Sequence, residues 1–359
     1  MATARSLAWQ RRQIPPANGA LIRNVLPLRT AKSYQHLPRL RSQGRKQLRS
    51  GVTSVNKVRW KKLAQTAAMV GILSVYTSTT NAQATHDKEY WRAIAANHYA
   101  VPEGEKAFAL AKELSANLKS SDPELRDDLA YSILATWILR PGVLNGDELL
   151  ALEEEWRGNL KEGIGENGTD SILGRSFSAL CLSAIAEKEL KTPFLGEERY
   201  RKLLDEALNY LKDEKDLRGF DAKKGWIHAT AHTADLLAAL AKHPSFTQQD
   251  QGNLLKAIGQ RIETAHVIFA FGEQDRLASA IAAMAERQDF VEAGFEAWLH
   301  RMDETDRTVW KDSPPKMESL ERFENDTYLL SAFVARVSQG EATAAEEAKK
   351  AALRSLRGR

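Results

Sequence analysis

The sequence predicts an all-α protein, with antiparallel helix pairs stacked as an α-solenoid of the HEAT or armadillo type and a compact helical bundle as the alternative. Three observations predict it. Apolar residues recur at helical spacing almost throughout the chain beyond residue 86, with no convincing stretch of strand alternation. Polar breaks carrying Pro or Gly recur between the periodic segments, as in "RPGVLNG", "KTPFLG", "KHPSF" and "KDSPP". The connections are short, which makes sequential neighbours antiparallel. No exact repeat is visible, so the solenoid rests on helix number and loop length.

Taken in order, the first segments lie at about 87–99 and 103–119. The next, at about 122–139, opens on Ser121-Asp122-Pro123-Glu124, an N-cap acid followed by a first-turn proline, and stops at "RPGVLNG". Asn145-Gly146-Asp147-Glu148 opens 146–160 and Gly168-Thr169-Asp170 opens 169–190. "KTPFLG" separates that segment from 196–213. Gly225 opens 226–242, which "KHPSF" closes. The remaining segments fall at about 247–270, 273–287, 289–304, 315–337 and 341–356. The tail, 341–359, has Ala, Glu, Lys and Leu at helical spacing and reads as a solvated terminal helix.

Charge divides the chain. Residues 1–86 hold 15 Lys and Arg and no acid, which leaves 36 basic and 47 acidic residues beyond, a net of −11. An acidic folded part argues against nucleic acid as a partner. Within the basic part, Trp60-Lys61-Lys62 precedes the apolar run Leu63–Tyr76, and Ala82-Gln83-Ala84 is a small-x-small signal. Residues 51–84 therefore read as a secretory signal peptide cleaved after Ala84, which exports the protein to a periplasmic or extracellular location and leaves no stable membrane span. The apolar run is short for a bilayer, which needs about 20 residues. An uncleaved anchor is the alternative. Residues 1–50 are too long for an ordinary n-region. They read as a disordered basic leader, explained by a start at Val52 or by an organelle presequence. The 85–340 stretch is then the helical domain. The lone Cys181 sits in an apolar stretch and reads as a buried, inert thiol.

The densest chemistry is "GWIHATAHTADLL" (Gly225 to Leu237), which sets His228, His232 and Asp235 at i, i+4 and i+7 with Trp226 in the first turn. Two imidazoles and a carboxylate on one face form part of a zinc site, which needs a further ligand such as His266, Glu273 or Asp275. The competing reading is structural, with Asp235 fixing the tautomer of His232. Ala229 stands where the zinc-protease motif has its Glu, so that mechanism is absent. Arg175, in the apolar "GRSFSAL", needs a buried partner, for which Asp235 or Asp275 would serve. Ser176 and Ser178 lie on a helix and not at a strand-turn-helix elbow, which removes the context for serine hydrolase chemistry. Asp275 and Arg276 fall in the first turn of "GEQDRLASAI". Arg175, His228, His232 and Asp275, carried by three different helices, are expected to converge on one polar pocket.

Three stretches in order, "DSILGRSFSALCLSAI", "DLRGFDAKKGWIHATAHTADLL" and "GEQDRLASAI", resemble an uncharacterised bacterial family, domain of unknown function 2785. The resemblance spans most of Asp87 to Val337. It rests on Arg175-Ser176-Phe177-Ser178, on Lys224-Gly225-Trp226 with His228, His232 and Asp235, and on the acidic element carrying Asp275 and Arg276. It implies an all-helical, repeat-like fold and no stated activity. The chain departs from the family at Thr233, at Gln274 and in its export leader. Two functions follow from the residues. One is a binding protein taking a small polar ligand or a protein partner in a polar pocket. The other is a metal-dependent hydrolase centred on His228, His232 and Asp235.

Overall fold

The computed structural model describes His86–Gln339 and Ala344–Arg359. The expected leader, signal peptide and cleavage point all lie outside the described residues. Twelve α-helices follow in the described part. The first five are α1 (Lys88–Ala96), α2 (Ala107–Asn117), α3 (Ser132–Leu139), α4 (Gly146–Asn159) and α5 (Ser171–Lys191). They are followed by α6 (Gly196–Asp213), α7 (Ala229–Ala241), α8 (Gln248–Glu263) and α9 (Glu273–Ala285). The chain ends with α10 (Glu292–Asp306), α11 (Met317–Val337) and α12 (Ala344–Arg357). The all-α expectation holds for these residues.

Local signals set several boundaries. Asn145 and Thr247 close capping boxes with Glu148 and Asp250, satisfying the orphan N–H groups of α4 and α8. Asp122 accepts the N–H groups of Glu124 and Leu125, as its position before Pro123 suggests. The helix expected at 122–139 is not uniform, however. Glu124–Tyr131 is wound as a π-helix before α3 begins.

Two rows of helices result. One row runs α3, α5, α7, α9, α11, each packed on the next, and the other runs α6, α8, α10, α12. Chain neighbours such as α4 and α5, or α6 and α7, bridge the rows. This alternation suits stacked antiparallel pairs, and a compact bundle also accommodates it. The middle of the first row is covered on every side. Ile172 to Ala186 are all buried in α5, and α7 and α9 are nearly as enclosed. Their contacts are made by Ala, Ser and Gly as much as by Leu and Ile, so the helices approach closely with little side-chain entropy to lose. Among the described residues no helix is long and apolar enough to cross a membrane.

Two further elements depart from the predicted pattern, the first being the helix expected at 247–270, which ends at Glu263 and leaves 264–272 as a connecting segment. The second, the helix expected from 226, starts at Ala229, and residues 220–226 instead form a small antiparallel hairpin pairing Phe220 with Trp226 and Asp221 with Gly225. Ile227 and His228 extend it by donating to the carbonyls of Gly219 and Arg218. Asp221 turns the chain by accepting the N–H groups of Lys223 and Lys224. Gly225 completes the turn at φ +73°, where a Cβ would also come within 2.8 Å of Pro123 Cβ. Helical periodicity does not reveal a two-residue strand, but Asp-x-x-x-Gly between Phe220 and Trp226 was the available signal.

Candidate functional site

Two connecting segments, 214–228 and 264–272, meet over the N-terminal ends of α7 and α9. Between them lies a groove of about 540 Å³. Its exposed apolar wall is made by Phe220, Val267, Ile268 and Phe271. Loops usually carry their polar backbone to water. Here buried side chains hold both segments in place.

Three arginines, each no more than 2% exposed, fix the first segment. Arg126, on the π-helical turn, donates to the carbonyls of Ser120 at 2.8 Å and Trp226 at 3.0 Å, and also to that of Lys224. Its Nε faces Asp127 at 2.7 Å, and its guanidinium lies over the Phe177 ring. Burial pushes the Asp127 carboxyl up to about 8 against the pull of that guanidinium. Arg175 donates through Nε and Nη2 to the Glu214 carboxylate at 2.7 and 3.2 Å, and through Nη1 to the carbonyls of Glu162 and Gly163. Arg261 donates to the carbonyls of Leu211, Lys212 and Glu214. The second segment is held by two buried amides. Asn325 accepts the Phe269 N–H and donates to the Val267 carbonyl, both at 2.8 Å, and Gln274 donates to the Phe269 carbonyl.

The two segments touch through His228 and Glu273. His228 caps α7 in the left-handed region at φ 54°, a conformation that costs a non-glycine residue about 1 kcal/mol or more. Its Nε2 lies 3.0 Å from the Phe271 carbonyl, which only accepts, so Nε2 carries the proton. The same nitrogen is 3.6 Å from a Glu273 oxygen. Trp226 stacks on the imidazole with ring centroids 4.7 Å apart. Burial raises the Glu273 carboxyl above the usual range. Burial first, and the Arg276 charge second, lower His228 to about 4.

His232 belongs to the layer beneath. The Ser176 hydroxyl donates to the Ile227 carbonyl, so His232 Nδ1, 2.9 Å from that hydroxyl oxygen, is the donor of the pair. Phe177 meets the His232 ring edge-on.

The convergence expected from the sequence is therefore partial. His228 and His232 do meet, their ring centroids 5.6 Å apart, with Trp226 beside the first. Arg175 does not pair with Asp235 or Asp275, because Glu214 satisfies it. Asp275 leaves the group altogether and pairs with Arg336 at the exposed surface. Asp235 does not fix His232. It pairs with Arg276, and burial still holds its carboxyl above the usual range. The proposed set of His228, His232 and Asp235 consequently does not present three donors to one point. Among the described residues no three His, Cys, Asp or Glu side chains are placed to hold a metal ion. His266 lies on the groove, but no third ligand joins it there. Cys181 is buried and its thiol is raised by that burial. The sequence reading missed Arg126, Glu214, Arg261 and Asn325. A cation or amide inside a helix is the signal that Arg126, Arg261 and Asn325 share, whereas Glu214, an acid just past the end of α6, carries none. A larger groove, about 680 Å³ between α8, α10 and α11, holds none of the motif residues.

The buried His228 gives a pH dependence of definite sign. Its folded value lies below its ordinary 6.5, so its contribution is complete above pH 6.5 and is lost as pH falls toward about 4. The full loss is on the order of 3 kcal/mol. The raised carboxyls of Asp127, Glu273 and Asp235 act oppositely, favouring the folded state as pH falls. The His228 part is isolated by comparison with His228→Asn, which tolerates the left-handed backbone. Urea unfolding of both proteins between pH 7 and 4.5 should show the variant losing less stability than the parent; parallel curves would contradict the assignment.

Comparison with known proteins adds one finding. A search of curated proteins and a search of solved structures each found no match. A family model described as "Protein of unknown function (DUF2785)" matches residues 160–334. That range takes in α5 to α10, both groove segments and most of α11, whereas α1 to α4 and the π-helical turn carrying Arg126 lie before it. Over residues 160–334, the chain is similar to that family of proteins of unknown function.

Proposed function

We propose that this chain is a binding protein whose ligand site is the groove between segments 214–228 and 264–272. One observation carries the reading. Four exposed apolar side chains, Phe220, Val267, Ile268 and Phe271, line a concavity of about 540 Å³ whose two walls are fixed from below by buried polar side chains. Contiguous exposed apolar surface favours an occupant. Walls already ordered reduce the entropy that an occupant must offset. Among the described residues, two of the four non-glycine residues with positive φ, His228 and His266, belong to this region, and such strain gathers at functional sites.

The hydrolase alternative has less support. Of its three residues, Asp235 is engaged by Arg276, His232 by Ser176 and the His228 Nε2–H by the Phe271 carbonyl, so the three are not aimed at one point.

A fluorescent apolar sulfonate, anilinonaphthalene sulfonate, tests the groove. Native protein should bind it saturably, and Ile268→Ser with Phe271→Ser should weaken binding at least fivefold without changing the melting temperature. Absence of native-state binding, or binding indifferent to those changes, contradicts the groove. Export is a second proposal, supported by the apolar run and Ala82-Gln83-Ala84. Sequencing the natural protein should find Thr85 at its N-terminus, and an intact Leu63–Tyr76 run would oppose it.

A further inference from the structure

Four ionisable side chains line the groove: Lys215, Arg218, His266 and Glu273. They are not equally available. Arg218 is engaged, with Nε 2.8 and 3.0 Å from the two oxygens of Asp216 and Nη2 2.7 Å from the Thr169 carbonyl. Glu273 is 2% exposed, and one of its oxygens accepts the Phe271 N–H at 2.9 Å. The backbone of Gly219 closes over it, so tightly that a Cβ there would sit 2.5 Å from the carboxylate. Burial of that depth favours its neutral form. Lys215 is exposed, and its ammonium has no ion-pair or hydrogen-bond partner among the described residues. His266 is likewise exposed with its ring unpartnered, held outward by a backbone at φ 48°.

The groove thus offers one free positive charge, an unpartnered imidazole, no competing exposed carboxylate, and an apolar wall. We propose that it takes a monocarboxylate with an apolar body, the carboxylate at Lys215 and the body against Phe220, Ile268 and Phe271. The proposal rests on the groove being the ligand site. An ammonium at a groove rim attracts an anionic head and repels a cationic one. The wall then rewards chain length, since each methylene removed from water strengthens binding about fourfold. A neutral ligand of the same shape would gain the wall and leave the ammonium unused. The same chemistry is available from a free acid or from the C-terminus of a peptide ending in an apolar residue.

The test is displacement of the fluorescent sulfonate from the full chain by octanoate, 1-octanol and octylammonium, below their aggregation concentrations. A tripeptide ending in Leu is added, with a free and with an amidated C-terminus. Octanoate should bind about tenfold tighter than octylammonium, and hexanoate should bind more weakly than octanoate. Lys215→Ala should weaken octanoate about tenfold and leave octanol unchanged, and Lys215→Glu should reverse the order of acid and amine. A free tripeptide binding tighter than both octanoate and its own amide would keep the carboxylate and assign it to a chain end. Equal binding of acid, alcohol and amine, or preference for the amine, overturns the proposal while the groove stands. Failure of every ligand, together with failure of the sulfonate itself, removes the groove.

Discussion

Replacing Arg126 by Met is expected to remove about 3–5 kcal/mol of unfolding free energy, since three buried carbonyls are stranded at about 1–3 kcal/mol each. The carbonyls of Ser120, Lys224 and Trp226 lose their donor together, and Asp127 loses the cation beside it. Water does not replace those partners, because the site is sealed by Phe177 below and Pro123 above Gly225. Urea unfolding of the two proteins measures the difference. The hairpin should feel it first, so the amides of Ile227 and His228, bonded to Gly219 and Arg218, should exchange with solvent faster than those of α5. A loss below about 1 kcal/mol would mean that the hairpin holds itself.

Arg175→Met should cost a similar amount, about 3–5 kcal/mol, for a different reason. What it leaves behind is a full carboxylate, Glu214, buried against α5. Two backbone N–H groups, from Lys215 and Asp216, still donate to it, but they do not neutralise it. A double-mutant cycle makes the point. Glu214→Gln should rescue part of the loss when added to Arg175→Met, because the stranded charge disappears with it. Independent, additive losses would show that the pair contributes by packing alone. Both changes should also weaken groove binding, since Lys215 follows Glu214 directly and loses its fixed position.

The helices were legible because their signals are local. Capping residues such as Asp122 and Asn145, and breaks such as "KTPFLG" and "KHPSF", place helix starts within a few residues. The importance of His228 and His232 was legible too, from polar residues inside an alanine-rich helix. What failed was the choice of partners. Arg175 needed an acid, and Asp235, Asp275 and Glu214 were all available in sequence; only the packing of α5 against the end of α6 selects Glu214. His228 read as a helical residue because i, i+4 spacing to His232 is real, and the His232 N–H does bond the His228 carbonyl. The backbone nevertheless turns left-handed at His228, since the incoming chain arrives from a hairpin and not from a preceding helical turn. Two-residue strands have no periodicity to detect.

The clamps on both groove segments grip main-chain atoms far more than side chains. Arg126 and Arg261 bind carbonyls, as does Gln274, and Asn325 binds one carbonyl and one N–H. Every residue type brings the same peptide group to such a clamp. Phe220, Val267, Ile268 and Phe271 can therefore be exchanged without unseating the loops they stand on. A library randomised at these four positions should yield mostly folded proteins that share the groove's shape and differ in what they capture.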